Sequence, residues 1–509
     1  MKRQLIAAMV CWFLLMGAKP QGGVTHTVQN GDSLSKIAAW YMPYTAAYTK
    51  KELITSITAI NGITGPLSLG QTLRIPVVWN QPLKPKTVPK TKDFVACGVY
   101  INPSSAGTRF ILDTAYKLRQ HGGNTIVFDA KDDCGAITYP SLIPAKYCPN
   151  EHYTPNIEEL PKLIEYLHRM GIHVVARMVV FKDPIMSRVK PEWCINKEKQ
   201  WLNPSDPAVQ EYILTVVREL ADSGLDEIQL DYIRYHADTE TGTGVEGVAR
   251  PDVIAGFLKQ VHDITAPKGV LLSMDMFGIV IWQRDEDVLV VGQDIAKLKP
   301  YVDIISPMLY PSHFSEGFDG VKNPADDPYR FVSAGVKRMK TLVGDGVIIR
   351  PWLQAFPLRV TKGFGSKYIL TQIDAARDSG ATGWLLWSPG NHYSEAYVAM
   401  QNLLKQKPET QVANAADKTQ GVRQQTPSKP ALALGAGQVT GIQQTQTLAH
   451  SSGGISPQGT ALPAMPNPAL GANQTTTVTQ KPGPTPPRIS APAPEVHGSG
   501  GLPVPTGGT

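Results

Sequence analysis

The stretch Asp-Glu-Ile-Gln-Leu-Asp-Tyr-Ile-Arg-Tyr-His, residues 226–236, decides how the chain is read. Its first part has the length and apolar content of a strand. Its end carries Asp231 and Arg234, where a segment built only for packing would stay apolar. Burying a carboxylate costs several kcal/mol unless it is paired, so an aspartate in that position asks for a reason.

Working outward, strand-like runs recur at residues 94–101, 124–130, 172–180, 226–233, 269–277, 301–309, 347–355 and 382–388. Most are near-continuous apolar runs, as parallel strands buried on both faces require. Helical stretches separate them, for example 157–170 and 207–223. The second opens on Asn203-Pro204-Ser205-Asp206-Pro207, a strong start signal. Eight such units predict an α/β fold, a (β/α)8 TIM barrel over residues 94–405. A doubly wound open sheet is the second choice, and the count of eight strands favours closure over it.

A barrel of this kind places its chemistry at the C-terminal ends of its strands. The polar and aromatic residues there are Asp129 and Lys131 after the second strand, Arg177 in the third, and Asp231 and Arg234 ending the fourth. Asp275 lies on the fifth, Tyr310 and His313 follow the sixth, Arg350, Trp352 and Gln354 lie on the seventh, and Trp387 on the eighth. Asp231 and Asp275 sit on adjacent strands. Two carboxylates aimed into one cup, one ionised and one kept protonated, are what glycoside hydrolysis needs. Arg177 or Arg234 would hold one of them ionised, and Tyr310, Trp352 and Trp387 could stack on sugar rings. Asp129 with Lys131 reads as a substrate clamp or as an ion pair. Asp303 and His173, toward the starts of their strands, read as structural.

The blocks FDAKDDCGAITY (128–139), DEIQLDYIRYH (226–236), VGQDIAKLKPYVDIISPMLYPSHF (291–314), IRPWLQAF (349–356) and GWLLWSPGNHY (383–393) resemble a bacterial glycoside-hydrolase-like barrel family within the alpha-amylase-type clan. The resemblance covers residues 94 to about 400. It implies a retaining barrel with Asp231 as nucleophile and the acid/base on the fifth strand, here Asp275. The clan more often carries Glu at that position.

Ahead of the barrel, residues 25–76 read as a compact βααβ unit, with turns at Asn30-Gly31-Asp32 and Asn61-Gly62 and a helix capped by Asp32 or Ser33. The segments HTVQNGDSLSKIA (26–38), INGI (60–63) and LGQTLRIP (69–76) resemble the lysin motif, LysM. One departure is a long helix–helix connection, YMPYTAAYTKKE (41–52). The resemblance implies binding of N-acetylglucosamine-containing glycans around Gly31, Asp32, Ser33, Gly62 and Ile63. Residues 77–93 are rich in Pro and Lys and read as an extended, semi-rigid linker.

The N-terminus, with Lys2 and Arg3, an apolar run at residues 5–16 and then Gly17-Ala18, has the layout of a secretory signal over residues 1–18. After its removal no apolar run is long enough to span a membrane. Four cysteines then remain, and Cys134 and Cys148 are the expected disulfide pair; no Cys-x-x-Cys suggests zinc, and no metal or cofactor is expected. The 45 glycines and 42 prolines are not spread evenly. No Phe, Trp or Tyr follows Tyr397, so residues 406–509 read as a disordered low-complexity tail. A net charge of +6 without clustering gives no reason to expect a nucleic-acid partner.

The resulting expectation is an exported monomer, in the periplasm or at the cell surface, that hydrolyses peptidoglycan or another N-acetylhexosamine-rich polysaccharide. The alternative is a non-catalytic glycan-binding or cell-wall scaffold protein. A metal-dependent deacetylase ranks last, because the strand ends carry no suitable His and Asp set. Limited proteolysis should leave a stable fragment ending near residue 405; a tail that resists protease would refute the disorder reading.

Overall fold

The computed structural model describes residues 23–91, 93–195, 200–237 and 247–406. The expected signal segment and the tail beyond residue 406 lie outside them. Among the described residues, no helix is long and apolar enough to cross a membrane.

The N-terminal module is a βααβ unit: β1 (Val24–Thr27), α1 (Leu34–Tyr41), α2 (Lys50–Asn61) and β2 (Thr72–Ile75). β1 and β2 pair antiparallel. Ser33 and Thr49 cap the helices by accepting from the backbone N–H groups of Lys36 and Glu52. Gly62 ends α2 in the left-handed conformation that glycine adopts at least cost. Ile37, Leu53, Ile57, Leu73 and Ile75 form a small core of their own.

The barrel strands are β3 (Ala96–Ile101), β4 (Thr125–Lys131), β5 (His173–Val179), β6 (Glu227–Asp231), β7 (Leu271–Met276), β8 (Ile304–Pro307), β9 (Ile348–Ile349), β10 (Trp352–Gln354) and β11 (Gly383–Trp387). All neighbours are parallel, in the order β10-β11-β3-β4-β5-β6-β7-β8-β9. The two ends of that order are one stretch of chain interrupted at Arg350-Pro351. The Ile349 carbonyl accepts from Thr382 N–H at 2.8 Å, while Arg350 N–H donates to Ile305 at 3.1 Å. The sheet therefore closes, and the seventh strand is split where proline has no N–H to give. Around it run α3 (Phe110–Gln120), α4 (Leu160–Arg169), α5 (Pro207–Ala221), α6 (Arg250–Thr265), α7 (Pro328–Val343), α8 (Ser366–Asp378) and α9 (Ser394–Gln406). Asp206 caps α5, as the Asn-Pro-Ser-Asp-Pro start signal requires.

Side chains alternate along a strand, so Glu227, Gln229 and Asp231 all point into the barrel at successive heights. At the base, Glu227 binds Arg350, accepts from Ser273 at 2.5 Å and meets His173 at 2.9 Å. Halfway up, Gln229 donates to Ser306 at 3.2 Å among Val127, Val175 and Leu385. Arg350, which the sequence places among the mouth residues, thus belongs to the base. The split after Ile349 puts it two residues before Trp352, one layer lower.

The segment 77–91 is extended and lies against the barrel. Trp79 and Leu83 pack against the barrel core. Thr87 donates to the Leu225 carbonyl at 2.8 Å and Val88 N–H to the Asp226 carboxylate at 2.8 Å. Its prolines leave the backbone without partners of its own, and the barrel base supplies them. The module is docked too. Tyr48 is buried in the barrel core cluster and donates to the Ala106 carbonyl at 2.6 Å. Lys162 on α4 donates to the carbonyls of Met42 and Ala47, both at 2.7 Å, and Tyr166 to that of Ala46 at 2.9 Å.

Burial opposes the charge on Glu227, yet Arg350 and His173 overcome it and hold the carboxyl at about 2, below its ordinary 4.5. A depressed folded pKa gives stability that is present above the ordinary value and lost as pH falls through the folded one. Glu227→Gln, which leaves Arg350 buried without its counter-charge, should cost ~3–5 kcal/mol. Urea unfolding across pH 2–7 should show the wild type losing stability between about 4.5 and 2 and the variant with a flatter profile there.

Candidate active site

Four charged side chains meet at the mouth of the barrel. β4 supplies Asp129, β5 Arg177, β6 Asp231 and β7 Asp275, each within its strand and each facing inward. Arg177 is the hub. Its Nη1 lies 2.5 Å from Asp129 Oδ1, its Nη2 2.6 Å and its Nε 3.0 Å from Asp231 Oδ2, and its Nε 4.0 Å from Asp275 Oδ2. Asp231 and Asp275 therefore share one guanidinium nitrogen. This caps the separation of their Oδ2 atoms at about 7 Å, a limit that admits the ~5–5.5 Å of retaining pairs.

The three carboxylates have different surroundings. Asp231 is 6% exposed; its Oδ2 takes two bonds from Arg177 and its Oδ1 accepts the Tyr232 N–H at 2.7 Å. Tyr232 makes that bond from a left-handed backbone, φ 53, which a bulky residue rarely adopts. Such strain is kept only where the surroundings impose it, and it turns the chain so that its amide faces the carboxylate. Asp275 is 2% exposed, and Trp352 Nε1 donates to its Oδ1 at 2.8 Å. Burial and then the charge of Asp231 push its carboxyl well above the ordinary range, and Arg177 and Trp352 do not reverse this. Asp129 accepts from Tyr100 Oη at 2.5 Å, and burial raises its pKa against the pull of Arg177. One guanidinium cannot offset three dry carboxylates; burial raises both Asp129 and Asp275, and Asp275, which has no close bond to Arg177 and faces the charge of Asp231, is pushed well above the ordinary range.

Aromatic rings surround this cluster. Tyr100 stacks on Trp387 at 3.8 Å, and the Arg177 guanidinium lies 5.1 Å from the Trp387 ring. Trp352 meets Trp387 edge-on at 5.5 Å. Tyr310 is buried, its phenol pushed up by burial and by the charges of Asp275 and Asp231, and His313 packs edge-on against it from the exposed rim. On the other rim Arg234 lies over Trp201 at 4.6 Å, Phe277 at 5.3 Å and Tyr232 at 5.5 Å. Two cavities, of about 110 and 300 Å³, lie under the 135–154 loop and at the base near Asp303, and neither is lined by the carboxylates.

Several residues singled out in the sequence lie elsewhere or do other work. Lys131 does not reach the mouth. The strand register slips between Asp129 and Lys131, and the lysine turns outward to Asp183 at 2.8 Å and the Val179 carbonyl at 3.0 Å. Gly135, φ 89, lets the following turn close over Asp183, where a Cβ would come within 2.1 Å of the carboxylate. Gln354 is fully buried and ties Ser312, Phe356 and Leu358 together, so it braces loops. The expected Cys134–Cys148 disulfide is not formed. Both thiols are free, Cys134 exposed on the turn bonded to Asp132 and Cys148 at the end of the 143–147 helix. In the module, Asp32 is occupied by Gln29 N–H and His26, and Ser33 caps α1; Gly31 and Gly62 are exposed, and Ile63 packs against the module core.

The sequence reading missed Tyr100, Trp201, Tyr232 and Phe277. A signal existed for Phe277, which lies two residues beyond Asp275 at the mouth end. It also missed the braces from the loop after the last strand: Asn391 and Tyr393 both donate to the Tyr100 carbonyl, at 3.0 and 2.7 Å.

Comparison with known proteins agrees with this architecture. Residues 26–76 match the LysM domain family. Residues 98–393, more than half of the chain, match the family described as "Putative glycosyl hydrolase domain". A search of curated proteins gives no match. Among solved structures, the chain is similar to the PgaB (BpsB) glycoside hydrolase domain from Bordetella bronchiseptica, with 14% identity over 62% of this chain and 100% of that one and a TM-score of 0.47. It is also similar to the spore cortex-lytic enzyme SleL from Bacillus cereus (14% identity, 74% and 86% covered, TM-score 0.38) and to a chitinase from Chromobacterium violaceum (13%, 61% and 100%, TM-score 0.38). The chain thus belongs to the glycosyl hydrolase domain family of that description, with a lysin motif at its N-terminal end.

Proposed function

We propose that the barrel hydrolyses glycosidic bonds of an extracellular or cell-wall polymer rich in N-acetylhexosamine, with Asp231 as nucleophile and Asp275 as acid and then base. The observation that carries the reading is the unequal treatment of two neighbouring carboxylates. Arg177 and the Tyr232 amide stabilise negative charge on Asp231, whereas Asp275 is buried beside that charge. An ionised and a protonated carboxyl flanking one bond are the requirement for a two-step displacement.

In the first step an Asp231 oxygen would attack the anomeric carbon while Asp275 gives its proton to the leaving glycosidic oxygen. In the second, Asp275 would take a proton from water, and the hydroxide oxygen would displace Asp231 from the sugar. Trp352 donates to Oδ1 of Asp275, so Oδ2 is the oxygen left to carry the transferable proton. Trp387 and Tyr232, both half-buried, would flank the sugar ring. The lysin motif supports the substrate class, since such modules bind N-acetylglucosamine-containing glycans, and it supports placing the protein outside the cytoplasm.

Asp231→Asn should lower kcat by ~10³-fold or more while leaving the fold intact. The measurement is release of reducing ends from purified cell wall or exopolysaccharide. Equal release by variant and wild type would leave only a glycan-binding role for the barrel. The pH–rate profile should have an alkaline limb set by Asp275, well above the range of an ordinary carboxyl. Trp352→Phe removes a donor that favours the ionised form, so this limb should move to higher pH as kcat falls about tenfold. An unmoved limb would separate Asp275 from the acid role.

A further inference from the structure

The long helix–helix connection that sets this lysin motif apart is the part that touches the barrel. Residues 42–50 supply the Met42, Ala46 and Ala47 carbonyls held by Lys162 and Tyr166, and the Tyr48 ring sunk into the barrel core. The backbone N–H of Lys50 donates to Glu158, and Glu52 lies 3.6 Å from Arg109. Lys162 is fully buried, and burial lowers its pKa to about 8. Even a neutral amine keeps two donors, and two carbonyls receive them.

The position of this contact matters for substrate. Ala106 and Arg109 follow β3, and Glu158 and Lys162 lie between β4 and the first turns of α4. The contact therefore lies toward the C-terminal ends of the strands, where the carboxylates are. The candidate glycan loops, residues 31–35 and 62–67, are at the other end of the module. α2 is 12 residues long and α1 eight, so residues 62–67 stand ~18 Å and residues 31–35 ~12 Å from the contact. Gly31, Ser33, Gly62 and Gly65 are exposed there.

We infer that the docked module is a fixed second glycan site of the enzyme, so that one polymer strand occupies the module loops and the carboxylate mouth together. This rests on the hydrolase reading above and goes beyond it. A module on a flexible tether raises the local concentration of any substrate, whereas a docked one favours only chains long enough to span both sites. The preferred substrate is then a long glycan strand, and bond choice is set by distance from the held sugars.

The test uses the full chain and chitin-type N-acetylglucosamine oligomers of increasing length beside the polymer. Wild type should show kcat/KM rising steeply above a threshold length. Gly65→Glu puts a charged side chain into the module loop where nothing lies within 4 Å of the added Cβ, so the fold should be unaffected. It should lose about tenfold on long chains and nothing on short ones. Lys162→Met combined with Tyr48→Ala should free the module and flatten the length dependence. Tyr166→Phe is the milder variant should that pair fail to fold. Hydrogen exchange of residues 42–50 reports the docking directly: slow in wild type, fast in the freed variant. Fast exchange in wild type, or an unchanged length profile in both Gly65→Glu and the freed variant, would overturn the inference. If wild type cleaves no glycan of any length, the hydrolase reading fails; exchange at residues 42–50 and retention on the insoluble polymer by wild type, Gly65→Glu and the freed variant then decide the docking and the second site.

Discussion

The mouth of the barrel depends on a single guanidinium. Arg177 is buried and stands among three carboxylates, and its bonds set a different electrostatic condition for each. Asp129 fixes one edge of the fork, and its own second oxygen is fixed by Tyr100. The remaining edge grips Asp231. Asp275 lies just outside bonding reach and receives the repulsion of Asp231 with little of the compensation. The unequal surroundings of these carboxylates follow from the geometry of one arginine, which a lysine, a point charge on a flexible stem, would not reproduce.

The rest of the fold serves to hold that arrangement. Tyr100 is positioned from behind by Asn391 and Tyr393, which reach its carbonyl across the closing strands. Trp352 sits where the seventh strand resumes after Pro351, and its indole meets Asp275 only because the ring of strands is closed there. The base has its own ion-pair cluster around Glu227, separated from the mouth by an apolar and amide layer. The two charged layers therefore share a barrel interior without sharing residues.

Much of this was legible in the chain. The eight strands stand where their apolar runs predict, because a strand buried on both faces can hardly be written otherwise. Asp129, Arg177, Asp231, Asp275, Tyr310, Trp352 and Trp387 converge because each breaks that pattern at the same end. Lys131 and Arg350 break it too and do not converge. The first is turned aside by a one-residue slip in register, the second lies a layer below, and neither displacement has a signature in composition. The paired strand residue Tyr100 and the strained Tyr232 were invisible for another reason: an aromatic near a strand end reads as core until its partner is known. The proline-rich segment was legible in its extension and not in its contacts with the barrel. Its composition describes a spacer, but a chain with unpaired backbone groups will also bind any surface that offers partners, and the barrel base does.

The docking of the module has a consequence for how the protein is made. The module is synthesised before the barrel and has a core of its own. The barrel surfaces it rests on come later: Ala106, then Glu158, Lys162 and Tyr166. A folded module must therefore wait, tethered by the segment that follows it, until the part of the barrel that carries those surfaces has formed. Assembly would then end with the module clasping a scaffold made after it, and errors of assembly would show as a well-folded module left undocked.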